Sequence, residues 1–262
     1  MKLRRQFLLL TYPLILFFVT FLFSHKSWAQ DEDPDSHSSK TKVTQRYEEL
    51  RKLAGSTKMI YIEGGVYEGK KVEAFHMDET MVTVEQYMAC VEAGVCPHPP
   101  DNGLWSATFK KSNSKLPINE ISFHNAQTFA QWIGKRLPTE HEWEWVASGR
   151  GEGRIYPWGN SAPTRESACW QRWDAETDSG GGPCEVGKLA FSKDGVKDMA
   201  GNLWEWTSTS YNDEGTLIIL KGGAWYNDDP SKLKVKARGV ASPYHRGNGS
   251  DGFRCVSSIK KE

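Results

Sequence analysis

The sequence predicts an α+β fold with two or three helices, a small twisted antiparallel sheet and many loops. Three observations carry this. Thr83/Gln86 and Thr139/Glu142 stand in the T-x-x-Q/E relation of capping boxes, each opening a helix. After Val146, short strand-like runs alternate with Gly, Pro, Asn and Asp loops to the end of the chain. Eleven Trp and 24 Gly suit a loop-rich interior pinned by large rings, not a helical bundle.

The chain opens with Lys2, Arg4 and Arg5, then an almost wholly apolar run from Phe7 to Phe23, then Ser27-Trp28-Ala29. That order is a secretory signal over residues 1–29, with small residues at the −3 and −1 positions of a cleavage site. The competing reading is an uncleaved membrane anchor, since an apolar run of about 18 residues is borderline for a span. No cysteine precedes Cys90, which excludes a lipoprotein anchor near the signal. Export, periplasmic or secreted, is the expectation, with a membrane involved only if the segment stays. The formal net charge is zero, and loss of Lys2, Arg4, Arg5 and Lys26 with the signal leaves −4. Neither value gives a basis for binding nucleic acid.

Residues 30–58 read as a polar linker and a short helix. QDEDPDSHSSKTKV, residues 30–43, has no periodicity and the composition of a flexible linker. Tyr47, Leu50 and Leu53 would line one face of the helix. The domain proper is expected over 59–257, with a basic and polar tail at 258–262. Met59 to Val66 reads as an entry strand ending at a Gly-Gly turn. Val84, Tyr87, Met88 and Val91 give the first capped helix its buried stripe. Ile121 to Gly134 is a second helix, with Phe123, Ala126, Phe129, Ala130 and Ile133 at helical spacing and Gly134 as its stop. In GKRLPTEHEWEWVASG, Pro138 closes one segment, Thr139 starts a helix, and Trp143, Val146 and Ala147 face a core. Leu217–Leu220, Val235–Val240 and Gly252–Val256 are the expected later strands. No internal repeat and no second domain is visible.

Export makes the five cysteines readable as disulfide candidates. Pairing neighbours is the simplest connectivity: Cys90 with Cys96 across CVEAGVC, and Cys169 with Cys184 across CWQRWDAETDSGGGPC. Cys255 is left over in GFRCV, where it shares a strand face with Phe253. It reads as a buried structural thiol in preference to a reactive one.

From Met59 to Ser257, landmarks occur in one order: MIYIEGGVYEG, VTVEQYMACV, LPINEISFHNAQTFAQWIGKRLPTEHEWEWVASG, YPWGN, DMAGNLWEWT, LKGGAW, VKARG and GFRCV. Each alone is weak, but the ordered set resembles the formylglycine-generating enzyme (sulfatase-modifying factor) family. The resemblance implies a C-type-lectin-like fold of that type. It also implies a place for chemistry. Active members carry two cysteines shortly after a K/R-G-G-S strand, and these hold copper for the oxidation of a substrate cysteine. Soft thiolates suit Cu(I). Here no cysteine lies between Gly223 and Arg254, and the expected serine is Ala224. The region around Ala224, Asn227, Asp228, Asp229 and Lys232 is therefore a degenerate active site, and no copper is expected; Trp204 resembles a residue of the family's oxygen pocket and is explained equally well as core packing. Asp228 and Asp229 with His245 form the one alternative metal set there, against the plainer reading of a solvated turn.

One metal site survives on the same comparison. The side chains of Asp198 and Glu205 and the carbonyls of Gly201 and Leu203 match the family's structural calcium ligands. Several hard oxygens from a turn and the strand after it are what calcium requires. The other reading is a capped turn with a surface Glu205 and no ion. A second family calcium site is degraded, with Ala168 in SACWQ where an Asn is expected. Three functions remain open. One is a non-catalytic exported module binding a protein, peptide or glycan through its C-type-lectin-like surface. Another is an oxidoreductase of the wider family, acting on a protein cysteine or in pyoverdine-maturation-like chemistry. The third is a structural protein of the cell envelope.

Overall fold

A computed structural model describes residues 34–100, 113–174, 179–189, 191–245 and 249–259, with backbone alone for 34–39, 173–174 and 179–180. The signal segment, residues 1–29, lies outside the described residues. Of residues 1–40, only the first turns of a helix are described; residues 41–262 form one compact unit.

Helix α1 runs Pro34–Ala54, so the segment expected as a linker over 30–43 is helical from Pro34 onward. Proline is tolerated at a helix start, and no Gly or Pro follows it until Gly55. Leu50 and Ala54 are buried, and the Tyr47 hydroxyl accepts a hydrogen bond from Trp132 Nε1 at 2.7 Å.

The predicted caps are present. Helix α2, Val84–Glu92, starts at the Thr83/Gln86 capping box. Helix α3, Phe123–Trp132, is capped by Ser122 and stopped by Gly134 at φ 74°. Helix α4, Glu140–Ala147, starts at the Thr139/Glu142 box. Glu142 also accepts two bonds from Arg136, at 2.8 and 2.6 Å; burial raises its carboxyl, but Arg136 together with the Thr139 amide and hydroxyl holds it low.

Strands β1 (Met59–Ile62), β2 (Gly65–Tyr67), β3 (Lys70–Val72) and β4 (Phe75–Asp78) come first. The expected strand Met59–Val66 breaks at Gly64, where a Cβ would lie 2.6 Å from the Val72 carbonyl oxygen. Short strands β5 (Trp173–Asp174) and β6 (Ser179–Gly180) pair with each other. Strands β7 (Trp204–Ser210), β8 (Ile218–Lys221), β9 (Gly239–Ala241), β10 (Asp251–Gly252) and β11 (Val256–Ser258) complete the set. They form an antiparallel sheet β1-β4-β11 and a sheet β10-β7-β8-β9 in which β10 runs parallel to β7. Val235–Val240, expected as a strand, is one only at its end. Val235 is instead a buried plug beside Trp143 and Met199.

Gly252–Val256 is not one strand either. The chain leaves one sheet at Gly252 and enters the other at Val256. Phe253, Arg254 and Cys255 lie at that crossover, all fully buried. Strand alternation does not operate there, so Arg254 turns inward along with its neighbours. The rings of Phe253 and Phe129 meet edge-on, and Phe129 stacks on Tyr87, tying the crossover to α2 and α3. Trp206, also fully buried, donates its indole N–H to the Ile121 carbonyl.

Candidate functional site

The DMAGN turn and β7 bring Asp198, Gly201, Leu203 and Glu205 to the junction of the two sheets. Asp198, Gly201 and Asn202 all adopt positive φ (58°, 76° and 64°). This geometry is why the turn needs a glycine and two short polar residues. A Cβ on Gly201 would stand 2.4 Å from the Cys169 carbonyl oxygen.

Glu205 is fully buried, not at the surface. Its Oε2 accepts from Trp143 Nε1 at 3.0 Å and Arg254 Nε at 2.7 Å, and its Oε1 accepts from Arg254 Nη2 at 2.8 Å. Arg254 also donates to the carbonyls of Asp78, Glu79 and Lys197. Asp78 accepts from Lys135 at 2.6 Å and from the Cys255 amide. Asp198 accepts two backbone N–H groups, from Gly187 and from Leu189. Burial raises the Asp198 carboxyl, those amides and Arg254 lower it, and Glu205 raises it again. Three buried carboxylates thus face Arg254 and Lys135, one positive charge short. That donor set, two carboxylates on a turn and its following strand with charge still to be neutralised, fits a hard divalent cation.

A second ionic group lies between α4 and β8. Lys221 is fully buried, 2.8 Å from Glu144 and 3.5 Å from Glu140. Burial pushes its ammonium down, against the pull of Glu144 and Glu140. Lys236 reaches the other oxygen of Glu144 at 2.6 Å, and Arg238 pairs with Glu140. Apart from the position of Lys221 before Gly222-Gly223, nothing local in the sequence marks this cluster or Arg254.

The loop expected to be a degenerate active site is bonded in part to itself. The Ala224 amide donates to Asn227 Oδ1 at 2.8 Å, and the Asn227 amide returns to the Ala224 carbonyl at 3.0 Å. Asp229 caps the 3-10 turn Pro230–Leu233, accepting from the amide and hydroxyl of Ser231. The Asp228 carbonyl accepts from Gln171. Lys232 is exposed, its carbonyl packed against Gly223. Trp204 packs in the core with Gly239 against its ring. His245 is not joined to Asp228 and Asp229; its acidic neighbour is Asp251, at 3.9 Å. No group of three His, Cys, Asp or Glu placed to hold a metal occurs among the described residues. The two disulfides pair Cys90 with Cys96 and Cys169 with Cys184, and Cys255 is free and buried. Burial, then Asp78, drives the Cys255 thiol well above its ordinary value, so it is held protonated.

Asp251 gives a test of the electrostatics. Burial raises its carboxyl to about 6, against the Ser250 hydroxyl and His245, which lower it. The unfolded carboxyl titrates near 3.9, so between about pH 4 and 6 the folded state holds the extra proton. Its cost to stability therefore grows as pH rises through that window and is fully present above it. Asp251→Asn should raise stability at about pH 7.5 by on the order of 1–3 kcal/mol, with the gain vanishing below about pH 4. Urea denaturation at the two pH values reads this, and destabilisation at both would show that the carboxylate is a net anchor.

The sequence profile of the sulfatase-modifying factor enzyme 1-like domain matches residues 37–259, well over half of the chain. The chain belongs to this family. Among curated relatives, the inactive C-alpha-formylglycine-generating enzyme 2 of Mus musculus is 32% identical over 174 residues, 62% of this chain and 54% of the relative. The formylglycine-generating enzyme of Streptomyces coelicolor is 32% identical over 170 residues, 54% of this chain and 52% of the relative. The chain thus spans about half the length of these relatives. Two solved structures share the fold: CarF, with TM-score 0.62 and 18% identity over 78% of this chain and 99% of that one, and PvdO from Pseudomonas aeruginosa, with TM-score 0.58 and 20% identity over 78% and 91%.

Proposed function

We propose that this family member is an exported, non-catalytic module. It binds a protein, peptide or glycan through its loop-rich C-type-lectin-like surface and carries a structural calcium ion. One observation carries the reading. No cysteine lies between Gly223 and Arg254, and in the loop there Asn227 is bonded to the Ala224 amide and Asp229 to Ser231. Cys255 does not replace the missing pair, because it is fully buried and protonated. Similarity to a relative whose name marks it inactive points the same way. Two disulfides and the composition of residues 1–29 support export.

Asp198 and Glu205, with the carbonyls of Gly201 and Leu203, would hold the calcium, Glu205 being shared with Arg254. The ion would supply the positive charge that the buried carboxylates lack and would lock the turn to β7. Its role is structural, since no polarised substrate atom is needed for binding at a surface.

The test has two arms. With copper and a reductant supplied, the protein should leave a Cys-x-Pro-x-Arg peptide unconverted by mass spectrometry. Peptide thiol loss above that of a Cys255→Ala control favours the oxidoreductase reading instead. Calcium should raise the melting temperature over that in chelator, by mass action worth about 2.7 kcal/mol at a hundredfold excess over Kd. Asp198→Asn should remove the response. It leaves the Glu205–Arg254 pair intact, which Glu205→Gln would break, and gives up one of the two amide bonds to Asp198. Identical melting in calcium and chelator would defeat the calcium assignment.

A further inference from the structure

Cys169, Cys184 and Asn202 have no part in metal ligation, yet all three are bonded into the Asp198 turn. Asn202 accepts from the Cys184 amide at 3.0 Å and donates to the Cys184 carbonyl at 3.2 Å through one side chain. Its backbone amide donates to the Cys169 carbonyl at 2.7 Å. Cys169 also bridges Gly201 in parallel fashion. The disulfide therefore closes a ring from Cys169 to Cys184 and back through Asn202. Immediately after Cys184, the chain delivers the Gly187 and Leu189 amides to the two oxygens of Asp198. Leu189 accepts the Asp198 amide in return at 2.8 Å. Gly187 needs its φ of 82° to make this approach. Among the described residues the rest of the stretch is held by packing: Val186 and Leu189, partly buried, sit against the cluster of Met81, Leu203 and Trp225, Leu189 also against that of Trp170 and Leu233, and the Val186 amide donates to the Lys115 carbonyl.

We propose that the Cys169–Cys184 disulfide is a positioning element for the cation site, so that the calcium affinity of this chain depends on its thiol redox state. The inference rests on the calcium reading above. In the oxidised chain, the segment 184–189 is held at one end by the disulfide and Asn202 and at the other by Asp198, and the Asp198 carboxylate is kept in one orientation. Reduction by a dithiol takes two electrons and two protons to leave two cysteine thiols, the reductant becoming its own disulfide. It leaves the first end of the segment held by the two Asn202 bonds alone. The amides that aim Asp198 are then less firmly fixed, and binding must order them together with the carboxylate. Outer-shell partners that orient a ligand are worth about 10- to 100-fold in metal affinity.

Calorimetric titration of the purified oxidised protein with calcium chloride sets the reference Kd. Cys169→Ser/Cys184→Ser should weaken it by about 10- to 100-fold, and so should prior reduction by a dithiol, whereas Cys90→Ser/Cys96→Ser should leave it within about twofold. Asn202→Gly keeps the disulfide and the positive φ but deletes both side-chain bonds to Cys184. It should also weaken Kd, and it decides the matter if circular dichroism shows the double variant unfolded. Calcium binding by the wild type with unchanged Kd in the folded double variant or in Asn202→Gly overturns this inference alone. No binding by the oxidised wild type overturns the calcium reading and this inference with it.

Discussion

Arg254→Met is expected to destabilise the domain by roughly 3–5 kcal/mol, the cost of leaving a buried charge without its partner. A typical domain has only about 5–15 kcal/mol to lose, so much of the protein should be unfolded at moderate denaturant. Methionine fills most of the volume, which confines the loss to charge and hydrogen bonding. Glu205 would be left fully buried with only the Trp143 indole N–H. The carbonyls of Asp78, Glu79 and Lys197 would also lose donors. Because three carboxylates already exceed two cations around the crossover, the loss is not shared out by neighbours. Urea denaturation of both proteins in chelator measures it. A loss below about 1 kcal/mol, the scale of an exposed ion pair, would mean that Arg254 is replaceable by packing.

Gly201→Ala is expected to cost about 2–5 kcal/mol, a sum of two separable effects. A residue with a Cβ at positive φ pays roughly 1–2 kcal/mol, and a clash inside a packed site costs about 1–3 more. The clash is with backbone, the Cys169 carbonyl 2.4 Å from the added Cβ, and Cys169 is fixed by its disulfide and by the Asn202 amide. Gly69 supplies the control. It has φ 74° and nothing within 4 Å of an added Cβ, so Gly69→Ala should show the conformational part alone. Equal losses in the two variants would remove the steric argument.

What the sequence reveals here follows from how local each signal is. The capping boxes at Thr83 and Thr139, the stop at Gly134 and both disulfides involve residues a few positions apart, or a loop whose ends are both cysteine. Their physics is contained in the string. The split of Gly252–Val256 between two sheets is not, because it depends on which distant strands pair with each end. Arg254 illustrates the result. As one residue of an alternating strand it belongs outside, and only the crossover places it within reach of Glu205 on β7 and Asp78 on β4. The charge network of Lys221, Glu144 and Glu140 was hidden for the same reason, since α4 and β8 meet only in the folded chain. At the candidate site, the emptied thiol window was legible because absence of a residue type needs no geometry. The self-bonded turn at Ala224–Asn227 and the link from Asn202 to Cys184 were not.

The ionic interior bears on the calorimetry of unfolding. Arg254, Lys221, Glu205 and Glu144 expose charged surface to water when the chain opens. Apolar exposure raises the heat capacity and polar exposure lowers it. The increment for this domain is therefore held below that of an equally large domain with an aliphatic core. A smaller increment flattens the curve of stability against temperature. The penalty for stripping water from these charges also shrinks on warming. The buried pairs, costly to assemble in the cold, weigh less against the fold as temperature rises.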